Sequence, residues 1–153
     1  MLFFYIAAFL EFFGKSIFAV RISAMLCVGV ISYCVYSISR MKFDFFAALA
    51  AGLLTTALLS VFEAQAMYSE TLSLAFIMVA LNIFLTSESN LRRSVLTGIL
   101  IGSAILTRSN MFPLSVLFLV FFVLRSSGSP WKTWMNVIAY VFGGLVPLIV
   151  VVA

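Results

Sequence analysis

From Ile17 to Ser39 the only charged residue is Arg21, and from Phe45 to Phe62 there is none. The pattern repeats to the end of the chain: residues 71–87, 94–107, 109–124 and 133–153 are uncharged, and the charges cluster in the short segments between them. Uncharged apolar runs of this length bury themselves either in a large protein core or in lipid. Hydrophobic residues make up 65% of the chain and charged residues 9%, too little polar surface to cover a soluble domain of 153 residues. The class expected is an all-α, polytopic integral membrane bundle.

Six spans are expected, over 17–39, 45–66, 71–86, 94–107, 112–124 and 133–153, forming one bundle over 17–153. Residues 1–16 read as an interfacial helix or a truncated segment. They contain Glu11 and lack the basic leader and small-residue cleavage site of a signal peptide. Arg40, Lys42, Arg92, Arg93, Arg125 and Lys132 are six of the nine basic residues, and all fall in alternate loops. The positive-inside rule makes those loops cytoplasmic. Cysteine-accessibility labelling in a background without Cys27 and Cys34 therefore labels positions 89 and 127 from the inner side. Positions 65 and 110 label from the outer side, and labelling of 65 and 89 from one side would contradict the span assignment.

Several chemistries are excluded. The chain has no histidine, so the commonest metal ligand and general base is absent and proton transfer would fall to carboxylates. Cys27 and Cys34 stand about 10 Å apart along one helix, too far for a disulfide, and read as packing residues. No nucleotide-binding glycine loop, nucleophile elbow or paired-cysteine motif occurs. Lys and Arg do not gather with aromatics as a nucleic-acid surface requires. The residues identify no cofactor and no metal ligand set. The run Phe118-Leu119-Val120-Phe121-Phe122 reads as lipid-facing bulk, and Gly98-Ile99-Leu100-Ile101-Gly102 as a face that lets a neighbouring helix approach closely.

The stretch from Glu63 to Asn110 holds what remains. It returns Glu63, Glu70 and Arg108 to the outer side at the ends of different helices. Helices over 94–107 and 112–124 rise about 21 and 20 Å, short of a hydrocarbon core of about 30 Å. The turn between them, with Arg108 and Asn110, is expected below the outer surface and facing a wet pocket. A guanidinium there suits a phosphate, which it can grip bidentately. The other reading of Arg108 is a snorkelling arginine or a structural pair with Glu70 or Glu63. Glu70 likewise has two readings. It either lines the pocket beside Tyr68 and Ser69, or is a dipole-stabilised acid in a helix start capped by Ser69. Arg21 reads as snorkelling and Asp44 as a loop charge.

Three segments resemble a known family. Phe12-Phe13-Gly14-Lys15-Ser16-Ile17-Phe18-Ala19-Val20-Arg21-Ile22-Ser23 resembles a segment of GT-C glycosyltransferases of the protein O-mannosyltransferase-like and aminoarabinose-transferase-like groups. Met67-Tyr68-Ser69-Glu70-Thr71-Leu72 is similar to their acidic outer helix start, and Leu96 to Arg108 to their glycine-spaced helix ending in a cation. Tyr68-Ser69-Glu70 with Arg108-Ser109-Asn110 also resembles the GPI second-mannose transferases. The likeness covers residues 12 to 113. It implies an enzyme that moves a sugar from a polyprenyl or dolichyl phosphate to an acceptor on the outer or luminal face. Arg108 then matches the donor-phosphate cation and Glu70 the second acid of the pocket. It places the catalytic carboxylate in an outer loop upstream of Met1, so the chain reads as inactive alone; Met1 begins with no polar approach and Ala153 ends with no polar loop behind it, so both ends read as cut. The membrane expected is the bacterial plasma membrane in preference to the endoplasmic reticulum. The class of reading that competes is a small non-enzymatic bundle, transporter-like or accessory.

Overall fold

The computed structural model describes residues 17–63, 68–86, 90–125 and 130–152, together with residues 7, 10 and 11. The first segment, 1–16, otherwise lies outside the described residues. Among the described residues from Ile17 onward there are six α-helices and no strand. They are α1 (Ile17–Ser39), α2 (Phe45–Glu63), α3 (Tyr68–Thr86), α4 (Leu91–Thr107), α5 (Phe112–Arg125) and α6 (Pro130–Val152). A 3₁₀ turn over Ser109–Met111 joins α4 to α5. In lipid each backbone N–H and C=O must be satisfied within the chain, which is why uncharged runs of this kind become helices.

Val20–Ser39 and Pro130–Val150 are long and apolar enough to cross a bilayer, while Phe45–Val61, Glu70–Thr86 and Ser109–Leu124 are shorter apolar helices. Apolar side chains cover much of the outside, among them Phe46, Leu53, Leu54, Phe142 and Ile149. In water such a surface would aggregate; in lipid it is the solvated face. The protein is an all-α integral membrane bundle.

Several helix ends differ from those expected. Helix α4 starts at Leu91 and takes Arg92 and Arg93 into its first turn, because the Asn90 carbonyl accepts the N–H groups of Arg93 and Ser94 at 3.0 Å each. Helix α6 starts at Pro130, whose fixed φ and missing N–H suit a first helical position. Trp131 and Lys132 therefore lie on the helix and not in a loop. Helix α3 starts at Tyr68, which puts Ser69 inside the first turn and removes it as the cap. Nothing at Tyr68-Ser69 breaks a helix, and the spare N–H groups of a first turn tolerate a serine there.

The helices pack in the order α2, α1, α3, α4, α6, with α5 laid against α3, α4 and α6. Between α1 and α2, Gly52 lets its helix approach the Ser32 carbonyl and Tyr36, and Thr56 shares a hydrogen bond with Ser32 Oγ at 2.8 Å. Between α1 and α3, Cys27 and Ile31 meet Leu72 and Ala75, and the Ser37 hydroxyl donates to Asn82 Oδ1 at 3.1 Å. Both cysteines are buried, and neither is part of a disulfide.

Helices α4 and α6 form the closest pair, and they run parallel: Ser94 lies 3.3 Å from Asn136 Oδ1, Gly98 abuts Tyr140, and Gly102 abuts Gly144. Gly143 in turn abuts Val95. Without a hydrophobic drive between helices in lipid, backbone contact through small residues supplies much of the packing. The face expected at Gly98 and Gly102 thus has a glycine pair as its partner. The phenylalanine run does not behave as expected. Phe118 and Phe122, one turn apart on α5, are buried against Phe84 and Tyr140, while Val120 and Phe121 face outward. The i, i+4 spacing divides the run between core and lipid: of its five residues only Val120 and Phe121 are exposed, and Leu119 packs against the core.

Candidate functional site

Glu70 opens α3 and Arg108 closes α4, and the structure brings them together as an ion pair between Oε1 and Nη1. The two helices are antiparallel neighbours, so the N-terminus of one and the C-terminus of the other share one end of the bundle. Each charge is favoured by its own helix: a carboxylate at an N-terminus and a guanidinium at a C-terminus. Both side chains are partly exposed, Arg108 at 32% and Glu70 at 44%. The pair is therefore within reach of water and of any ligand at that end.

The backbone explains the aim of Arg108. Its φ of −152° and ψ of 110° break the helix into an extended residue, while its N–H still closes the last turn onto the Ala104 carbonyl at 2.9 Å. Its own carbonyl accepts the Met111 N–H at 3.1 Å and starts the 3₁₀ turn. Arg108 is thus pinned on both sides, at the junction of α4 and the turn. Below it, Ser103 and Ala104 are buried and Thr107 donates to the Ser103 carbonyl at 2.8 Å. The side chain leaves from a backbone that is hydrogen-bonded on both sides.

The other expected site residues fare differently. Asn110 lies in the 3₁₀ turn and is exposed, beside Arg108 in sequence and not packed into the bundle. Tyr68 and Ser69 belong to the first turn of α3, but their side chains lie outside the described residues. The same holds for Glu63, the last residue of α2. Arg21 is exposed on α1, and Asp44 is exposed in the turn before α2, where its carbonyl accepts the Ala48 N–H at 3.1 Å. Among the described residues no group of three His, Cys, Asp or Glu side chains could hold a metal ion.

A separate groove of about 410 Å³ runs between α1 and α3, lined by Met25, Gly29, Val30, Tyr33, Val79 and Asn82 among others. On α3, Val79 and Asn82 continue the stripe of Leu72 and Ala75, the face turned to α1, whereas Ser73, Ile77 and Ala80 turn toward α4. The groove is therefore distinct from the Glu70–Arg108 end. Sequence reasoning did not find it, because the only signal is Gly29 and Asn82 in otherwise uniform apolar runs.

No curated protein and no solved structure matches the chain. The profile of the dolichyl-phosphate-mannose-protein mannosyltransferase family matches residues 1–153, the whole of the sequence. The ion pair at the end of α3 and α4 therefore sits in a helical membrane protein that belongs to the dolichyl-phosphate-mannose-protein mannosyltransferase family.

Proposed function

We propose that this chain belongs to a GT-C membrane glycosyltransferase that moves a sugar from a polyprenyl- or dolichyl-phosphate donor to an acceptor on the outer or luminal face. Arg108 holds the donor phosphate and Glu70 is the acid beside it. The family supports the donor class. The observation that carries the site is the ion pair itself: the guanidinium is partly exposed, meets the Glu70 carboxylate, and rises from the residue that closes a helix. Helices α4 and α5, at 17 and 14 residues, rise about 25 and 21 Å, so the turn between them is recessed relative to a core of about 30 Å.

In this reaction the bond between the sugar's anomeric carbon and the phosphate oxygen breaks, and a bond to the acceptor oxygen forms. Negative charge collects on the departing phosphate. A donor group aimed at that oxygen before the reaction starts stabilises the transition state more than the ground state.

The same ion pair also favours the non-enzymatic reading, in which Arg108 does no more than compensate Glu70. A double-mutant cycle separates the two. In the catalytic reading, Arg108→Ala inserts and accumulates near the wild-type level, since a half-exposed pair is worth only about 0.2–1 kcal/mol. If Arg108→Ala instead loses abundance and adding Glu70→Ala restores it, the arginine was a counter-charge and the phosphate role fails.

A further inference from the structure

Resting on the phosphate reading of Arg108, we infer that Glu70 is a competitor for its guanidinium, releasing it to the incoming donor and recapturing it to expel the spent lipid phosphate. The structure shows the carboxylate on Nη1 of Arg108 with both groups partly open to solvent. A phosphate approaching the same fork meets an anion already in place. Two anions on one guanidinium leave a net negative charge, which a recessed site disfavours. The phosphate and the carboxylate therefore exchange.

The charges on donor and product give the exchange a direction. A polyprenyl-phosphate sugar is a phosphodiester and carries one negative charge. Transfer breaks the bond from the anomeric carbon to oxygen, the bonding pair stays on that oxygen, and the acceptor's hydroxyl proton is released. The product is a phosphomonoester with a second ionisation near pH 6 and a charge of about −1.5 to −2 at pH 7. Arg108 thus binds the product more strongly than the donor, and a site built from the guanidinium alone would be slow to let it go. Glu70 opposes this twice, by repelling the dianion and by offering Arg108 a replacement partner. Its place in the first turn of α3 keeps it within reach throughout, since the carboxylate is held on a helix and not on a loop.

The test measures binding of polyprenyl phosphate and of polyprenyl-phosphate mannose to the full chain in nanodiscs at pH 7 and low salt. Wild type, Glu70→Gln, Glu70→Asp and Arg108→Ala are compared, with thermal unfolding confirming that each is folded. Glu70→Gln binds the monoester about two- to fivefold tighter, the range expected for loss of a partly exposed charge pair, and gains less for the diester. Glu70→Asp stays near wild type, and Arg108→Ala loses binding of both. Unchanged or weaker monoester binding by Glu70→Gln, with Arg108→Ala still defective, overturns the exchange and leaves the phosphate reading standing. Binding by Arg108→Ala equal to wild type, or no binding by wild type, overturns the phosphate reading itself.

Discussion

In a transfer-competent enzyme that contains this chain, Arg108→Ala is expected to reduce sugar transfer from a polyprenyl-phosphate donor by about 10²–10³-fold, the usual loss when one preorganised donor to a developing charge is removed. The loss falls mainly on kcat, because charge on the leaving phosphate is greatest in the transition state. Arg108→Lys recovers part of the rate. An ammonium keeps the charge but not the planar fork, and its shorter reach from a pinned backbone leaves it less well aimed. An Arg108→Ala protein within tenfold of wild-type rate would show that the phosphate is held elsewhere.

Gly98→Leu is expected to prevent α4 and α6 from packing, and Gly98→Ala to destabilise the bundle by about 1–3 kcal/mol, as overpacking generally does. A Cβ at position 98 would overlap the Tyr140 carbonyl and come within 2.9 Å of the Gly144 nitrogen. Both obstacles are backbone, so no side-chain rotation relieves them. Tyr140 also donates its hydroxyl to the Ser115 carbonyl at 3.1 Å, so a displaced α6 pulls on α5 as well. Gly29→Ala is the control: nothing lies within 4 Å of a Cβ there. It should be neutral or gain up to about 1 kcal/mol from helix propensity. Unfolding in detergent micelles measures the difference, and equal stability of the Gly98 and Gly29 variants would contradict the packing described.

The sequence reading and the structure agree where charge and glycine carry the signal. The charge-free runs mark the helices because in lipid an uncharged segment has one way to satisfy its backbone. Gly98 and Gly102 mark a close contact, and the tandem Gly143-Gly144 supplies its partner. Agreement ends where residues are uniformly apolar. Phe118 and Phe122 differ in no chemical respect from Phe121, so their burial against Phe84 and Tyr140 appears only once the neighbouring helices are placed. The N-terminal ends of α4 and α6 lie earlier than the charge pattern implies, for a related reason. Arg92, Arg93 and Lys132 read as loop charges, yet cations stand readily in a first helical turn when the side chains reach the interface. At the site, the sequence brought Glu70 and Arg108 to the same end but left open a pair with Glu70, a pair with Glu63 and a snorkelling arginine. The contact of α3 with α4 allows the first, and the structure contains it.

The most direct test of the account is photo-crosslinking with a polyprenyl phosphate that carries a diazirine next to the phosphate, followed by peptide mapping. If Arg108 holds the phosphate, adducts fall within residues 106–112 and the start of α3, and they disappear in Arg108→Ala while persisting in Glu70→Gln. Adducts confined to other segments, such as the groove between α1 and α3, or undiminished labelling of Arg108→Ala, would contradict it.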